Sequence, residues 1–394
     1  MEGYVLDWLN LLGRWLHIVT GIAWIGASFY FVWLDDHLLP PADPAAAKKG
    51  VAGELWAVHG GGFYNAQKYQ VAPPALPAVL HWFKWEAYWT WISGFFLLVL
   101  LYYLGAEVYL IDRSVANISK GPAIAIGLAT LAGGWIVYDR LCASPLGRND
   151  RALSVVLGVL IAGAAWGLCQ VFSGRGAYMH FGAMLGTIMA ANVLFVIIPG
   201  QKELVAAMRE GRAPDPVHGL RGWQRSVHNT YFTLPVLFTM MSHHYPMTTD
   251  HPWNWAVLIA LSLAGALIRV WFVARHKGRA SPLPLAAGIV MLAALAVAIM
   301  PRAPGDGASG ADFPRVRAII AERCMSCHAP APTHPGLDAP PKGVVLDTPE
   351  RIVAQAAQIR QTTASRTMPI ANLTKMTDEE RAIIADWFRR GAPR

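Results

Sequence analysis

The segment Cys324-Met325-Ser326-Cys327-His328 carries the most specific chemistry in the chain. Two thiols separated by two residues and followed at once by an imidazole form the pattern that anchors a c-type haem. Cys324 and Cys327 would form thioethers with the haem vinyl groups, and His328 would reach the iron as its proximal ligand. Half of a zinc site is the competing reading. It needs a second C-x-x-C to complete four ligands, but the other cysteines, Cys142 and Cys169, stand singly inside apolar runs and read as buried thiols. A sixth iron ligand is expected from a loop before the last helix. Met368, in T-M-P-I, offers a soft thioether that raises a haem potential, beside a proline that fixes the backbone. Met376 reads as a packing residue, and His334 stands too close to the attachment motif.

The elements around this motif suit the small class I cytochrome c fold. Residues 312–323 predict a helix running into the motif, 349–361 a second, and 377–390 a third. The third is opened by Thr377 with Glu380 three residues on, a capping box. Phe313 and Trp387 are expected to supply the aromatic contact between first and last helices. The predicted cytochrome domain spans 312–394. Residues 301–311, rich in Pro and Gly, read as a flexible linker, and 1–300 as a transmembrane domain.

Composition supports that division. The chain is 54% hydrophobic and only 15% charged, against about 25% charged in soluble domains. A net charge of +8 raises nucleic acid as a partner. The basic residues instead sit in short loops between apolar runs, as in membrane proteins, so no nucleic-acid partner is expected. Runs of about 20 apolar residues span a bilayer. Eight are read at 8–34, 85–104, 121–138, 152–173, 177–198, 227–241, 253–273 and 282–300, the sixth interrupted by Pro235. The first lacks the basic leader and cleavage site of a signal peptide. The expected fold is therefore all-α, a polytopic bundle of about eight transmembrane helices followed by the cytochrome domain.

Loops 35–84, 139–151, 199–226 and 274–281 hold 15 Lys and Arg, and the opposite segments hold 3. The positive-inside rule puts the first set in the cytoplasm. Both termini then lie in the periplasm, where haem is attached to such motifs. The expected location is a bacterial inner membrane. Loop 35–84 is long, and its second half is aromatic and Gly-rich, content more often functional than filler.

Ionisable residues inside a membrane are costly and point to function. Arg14 and His17 share a face of the first helix, with Gly21 leaving room beside His17 for a flat macrocycle. They suggest a haem b, with His180 or His244 as opposite ligand and Arg14 paired to a propionate. The bland reading is a buried Arg–His pair without cofactor. His59, His81, His228 and Glu86 fall toward the cytoplasmic face with Trp82, Trp85, Asn229 and Tyr231. As a group they could hold a planar polar substrate, with a His or Glu as base. Each histidine taken alone is more ordinary as an interfacial or capping residue.

The stretches GRWLHIVTGIAWIGASFYFVWLD, GELWAVHGGGFYNAQKY, MHFGAMLGTIMAANVLFVIIPGQ and SVHNTYFTLPVLFTMMSHHYP, followed by the terminal C-M-S-C-H, resemble the bacterial membrane-bound urate hydroxylases of the PuuD type. The resemblance covers the chain in order. It implies oxidation of urate to 5-hydroxyisourate with electrons passed to cytochrome c and on to the respiratory chain, through cytochrome c oxidase or a soluble cytochrome c. The new oxygen would come from water, activated by His228 or Glu86. The basic loops, including Arg221 and Arg225, would attract the urate anion. The residues alone imply only a membrane-bound oxidoreductase tethered to a cytochrome. A quinol dehydrogenase and a non-enzymatic electron conduit are the rivals. A transporter would need broken, repeated helices, which the sequence does not show.

Overall fold

A helix satisfies its own backbone polar groups, so apolar runs in hydrocarbon become helices. The computed structural model describes residues 2–276, Gly278, 281–300, 312–364 and 366–394. Within the described residues eight helical segments overlie the eight apolar runs. In chain order α1 (Glu2–His37) and a short α2 (Pro44–Lys48) precede a hairpin of β1 (Val51–His59) and β2 (Gly62–Tyr69). Next come α3 (Trp85–Leu98), continued by a π turn at Val99–Tyr103, and short α4 (Ala106–Tyr109). Then follow α5 (Lys120–Ala143), α6 (Asp150–Cys169), α7 (Gly174–Ala191), a π turn at Asn192–Ile197, and α8 (Ile198–Arg209). The bundle closes with α9 (Pro216–Ser242), short α10 (Pro246–Thr249), α11 (Asn254–His276) and α12 (Leu283–Ala298).

Five of these helical stretches are long and apolar enough to cross a membrane: Tyr4–His37, Lys120–Ala143, Asp150–Cys169, Gly174–Arg209 and Asn254–His276. The sixth run is longer than expected. α9 begins at Pro216 and carries Pro235 inside it, so the helix extends well into polar sequence. The fold is all-α apart from the hairpin, which lies in the segment 35–84, expected as a loop. Its strands pair antiparallel with Val58 opposite Phe63 and His59 opposite Gly62. Gly60 and Gly61 take positive φ at the turn, a conformation two-residue hairpins require.

α7 is the central rod, and its stretch Gly174–Arg209 is the most buried of the spans. It packs on α5, α6 and α9. Small residues let membrane helices approach. A Cβ on Gly182 would strike the Thr239 side chain, so that glycine sets how closely α7 meets α9. Phe172, Tyr178, Phe181 and Leu185 are fully buried in this core. α1 is the opposite case, with most of its surface exposed, as expected of a helix facing lipid.

The carboxy-terminal part has its own core. It comprises α13 (Phe313–Arg323), α14 (Met325–His328), α15 (Pro349–Ala354), α16 (Ala356–Ala364) and α17 (Asp378–Arg389). The expected helix 349–361 is two helices that break at Gln355. The Thr377–Glu380 capping box is present. The rings of Phe313 and Trp387 lie 6.0 Å apart. The expected linker 301–311 lies outside the described residues.

Candidate functional site

The C-M-S-C-H segment starts where α13 ends. Cys324 is the C-cap of α13 and the N-cap of α14. Its carbonyl accepts the His328 amide at 2.9 Å. The His328 Nδ1 donates to the Val344 carbonyl at 2.9 Å. Such a bond fixes the ring and leaves Nε2 with its lone pair for a metal. No disulfide joins Cys324 and Cys327. Burial pushes the Cys324 thiol up to about 12 and the Cys327 thiol up as well. Met368 is partly exposed, while Met376 is buried in the core with Phe313 and Trp387. The backbone of Met368 is held on both sides. Its amide donates to Thr362 at 3.1 Å, and its carbonyl accepts from Arg381 at 2.8 Å. His334 is partly exposed and turns its Nδ1 to the Pro335 carbonyl. Two thiols, an oriented imidazole and an available thioether form a donor set that fits a covalently held haem.

A cavity of about 570 Å³ runs between α1, α3, α7 and α9, within the usual range for small-molecule sites. Its charged end is built from Arg14, Arg175, His243 and His244. Arg14 donates from Nε to Asn10 at 2.7 Å and from Nη1 to His243 Nε2 at 3.3 Å. Arg175 donates to the His243 carbonyl at 3.4 Å and lies over the Tyr109 ring at 5.9 Å. The Arg175 Nε and His243 Nδ1 are buried without partners. Orphaned polar atoms of this kind call for a ligand or water. His17 stands on the α1 wall. Its Nδ1 lies 3.0 Å from both the Thr90 carbonyl and the Ser93 hydroxyl. Its ring fits against Gly94, where a Cβ would come within 2.8 Å. With Nδ1 donating to Thr90, Nε2 is left free.

The structure thus brings Arg14, His17 and His244 to one cavity. His180 is elsewhere, fully buried. Its Nδ1 donates to the Gly176 carbonyl at 2.8 Å, and its Nε2 lies 3.2 Å from the Tyr103 hydroxyl. Both ring nitrogens are therefore engaged inside the protein. Arg175 and Tyr109 had no sequence signal beyond their place beside apolar runs. His243, like His244, is legible in the sequence as a histidine just past the sixth apolar run.

The set expected at the cytoplasmic face is more dispersed. His228 is partly buried, with Nδ1 2.8 Å from the Tyr138 hydroxyl and 3.9 Å from the Cys142 sulfur. Asn192 donates to that hydroxyl at 3.1 Å and to Asn229 at 2.8 Å. Arg225, expected to attract an anion at the surface, is instead buried. It pairs with Asp139 at 2.7 Å and lies over the Tyr138 ring, because its place on α9 points it into the bundle. His59 is exposed at the hairpin turn. His81 is exposed, edge-on to Phe83. Glu86 sits in the first turn of α3. Among the described residues no hydrogen bond or ring contact joins His59, His81, Glu86 and His228. Tyr138 and Asn192 lie inside apolar runs, where single polar residues gave no pattern.

The two sites meet. α4 packs against the turn Ile370–Asn372, two residues beyond Met368. Gly336 comes close to Glu107, an added Cβ lying 3.2 Å from the Glu107 Cβ. Asp250, after α10, lies in the field of Arg175 on one side and of Arg366 and Arg381 on the other. Burial raises its carboxyl to about 6. Tyr109, at the end of α4, lines the cavity. A sequence model of the family described as Urate oxidase N-terminal matches residues 3–300. No curated protein and no solved structure matches the chain.

Proposed function

The chain belongs to the urate oxidase N-terminal family, and we propose that it oxidises urate to 5-hydroxyisourate in a membrane, with electrons leaving through a fused cytochrome c domain. The family match supports an oxidoreductase acting on urate, with a place in purine degradation. The cytochrome coupling rests on one structural observation, the contact between the cavity rim at α4 and the turn beside Met368.

Urate and one water become 5-hydroxyisourate, two protons and two electrons. The chain must therefore hold a planar anion, take up protons and provide a one-electron exit. His228 and Tyr138 form a hydrogen-bonded pair able to accept and pass a proton. Glu86, His59 and His81 are the further candidates for proton transfer and substrate contact. Cys324 and Cys327 would hold haem c, with His328 and Met368 on its iron. A haem b would be held in the cavity by His17 and by His244, with Arg14 and Arg175 at its charged end to pair carboxylates. His180 is the less suited ligand, since its nitrogens are already engaged. Bound haem supplies an acceptor that takes electrons singly. The packing of α4 on the turn beside Met368 supports a short path from the cavity to the proposed haem c. The onward acceptor would be a cytochrome c oxidase or a soluble cytochrome c. The proposed location is a bacterial inner membrane, with amino terminus and cytochrome domain in the periplasm.

Adding urate without oxygen to purified full-length protein tests this reading. The expected result is reduction of the covalent haem and no peroxide. Reduction by a quinol and not by urate would make the protein a quinol dehydrogenase. Reduction by neither would leave an electron conduit.

A further inference from the structure

At the end of the bundle remote from Met368, a second groove of about 520 Å³ opens between the start of α3 and the end of α8. Trp82, Lys84, Lys202, Arg209 and Glu210 line it. Among the described residues Lys84, Lys202 and Arg209 form no ion pair, so three cations face the single lining carboxylate Glu210, which pairs with Arg212 at 2.7 Å, a guanidinium that also reaches Glu203 at 3.2 Å. The groove therefore presents uncompensated positive charge. Its aromatic member is held in place. Trp82 packs on a small apolar cluster of Ala87, Val193 and Ile198, together with Trp24 and Tyr88. Trp24 in turn lines the large cavity. One apolar layer thus separates groove from cavity, with an indole in contact with each side. The π turn Asn192–Ile197 contributes Val193 and Ile197 to that layer, and π turns in helices concentrate at functional sites.

We propose that this groove is an anion-capture site for a planar heteroaromatic anion of the urate class, at the mouth through which substrate reaches the bundle interior. The inference rests on the proposed urate chemistry and adds where the anion first binds. A fixed indole face gives a planar ring a stacking platform at little entropic cost. Three cations around it attract a delocalised negative charge and raise its local concentration. Its cations favour an anion over a neutral quinol, which would enter from the bilayer. It also lies among loops expected on the cytoplasmic side, where urate is produced.

Lys202 and Arg209 are exposed, so reversing both charges leaves the core untouched. The K202E/R209E protein is compared with wild type and with K48E/K49E, which reverses two exposed charges elsewhere. Equilibrium dialysis with labelled urate should show one bound equivalent fewer in K202E/R209E. Its kcat/KM for urate should fall at least tenfold with kcat within twofold. Raising ionic strength should lower kcat/KM in wild type and in K48E/K49E, but not in K202E/R209E. W82L should also lose the binding equivalent. Unchanged binding in K202E/R209E, or the same loss in K48E/K49E, overturns the inference, as does a wild type that binds no urate. Wild-type binding that depends on the groove, without turnover, upholds the capture site and removes the proposed function. Turnover with intact kcat/KM in K202E/R209E does the reverse.

Discussion

The Arg381 guanidinium donates to the main-chain carbonyls of Met368 at 2.8 Å and Thr363 at 2.6 Å. Its second terminal nitrogen reaches Asn372 Oδ1 at 3.0 Å. One largely buried cation therefore ties α17 to both sides of the loop that presents Met368. Arg381→Leu removes the donor from buried carbonyls, each costing about 1–3 kcal/mol when left unpaired. The expected outcome is a lower unfolding temperature of the carboxy-terminal domain and a lower haem potential, with covalent haem retained. A potential unchanged in the variant would separate Arg381 from the Met368 loop.

The two methionines divide cleanly by burial. Met376 is 3% exposed in the domain core, and truncation of such a side chain costs about 2–5 kcal/mol. Met376→Ala should lower stability and leave the potential alone. Met368→Ala should lower the potential with little loss of stability. The reverse pattern, read by redox titration and thermal unfolding, transfers the ligand role to Met376. Cys324→Ala with Cys327→Ala should abolish haem staining of the denatured chain.

What the sequence made legible was whatever repeats or carries a fixed spacing. The apolar runs gave the helices, and the capping box at Thr377 gave the start of α17. The hairpin escaped because Val51–His59 and Gly62–Tyr69 carry no regular alternation of apolar and polar residues. Extension of α9 through 216–226 escaped because its apolar stripe is diluted by Arg221, Gln224 and Arg225. The grouping of Arg14 with Arg175 and His243 could not be read, since it arises from helices far apart in the chain. For the same reason His180 looked equivalent to His244 in sequence, although only His244 lines the cavity.

Asp250 gives a pH dependence of definite sign. Burial raises its carboxyl from an ordinary 3.8 to about 6, so the folded state prefers the protonated acid. That contribution is fully present below pH 3.8 and is lost as pH rises through about 6. Relative to Asp250→Asn, wild-type stability should therefore decline between pH 4 and pH 7. Equal slopes for the two proteins in thermal unfolding over that range would remove the buried acid from the junction.

The proposed orientation rests on the basic loops. A reporter active only in the cytoplasm should work when inserted in loop 199–226 and fail in 242–252. Activity at 242–252 would place His243, Asp250 and the cytochrome contact on the cytoplasmic side, where the groove at Trp82 could no longer receive cytoplasmic urate.

The proposed electron exit and proton uptake fall to separate residues, and the mutants should separate them. His17 faces the cavity with Nδ1 held by Thr90 and Ser93, so removing the ring takes away Nε2 together with these bonds and the packing on Gly94. His17→Ala should remove a non-covalent haem signal and stop reduction of the covalent haem by urate, while urate still binds. His228 sits in a different network, against Tyr138 and Asn192. His228→Ala should keep both haem spectra and lose urate-dependent reduction. Tyr138→Phe, which keeps the ring and deletes the hydroxyl, should slow reduction by about 10²–10⁴-fold if the pair relays a proton. Spectra of the purified variants, followed by anaerobic urate addition, read all three. A wild type that contains only covalent haem and turns over fully would reassign His17 to the wall of a substrate cavity. Its mutation would then weaken urate binding and leave the haem spectrum unchanged.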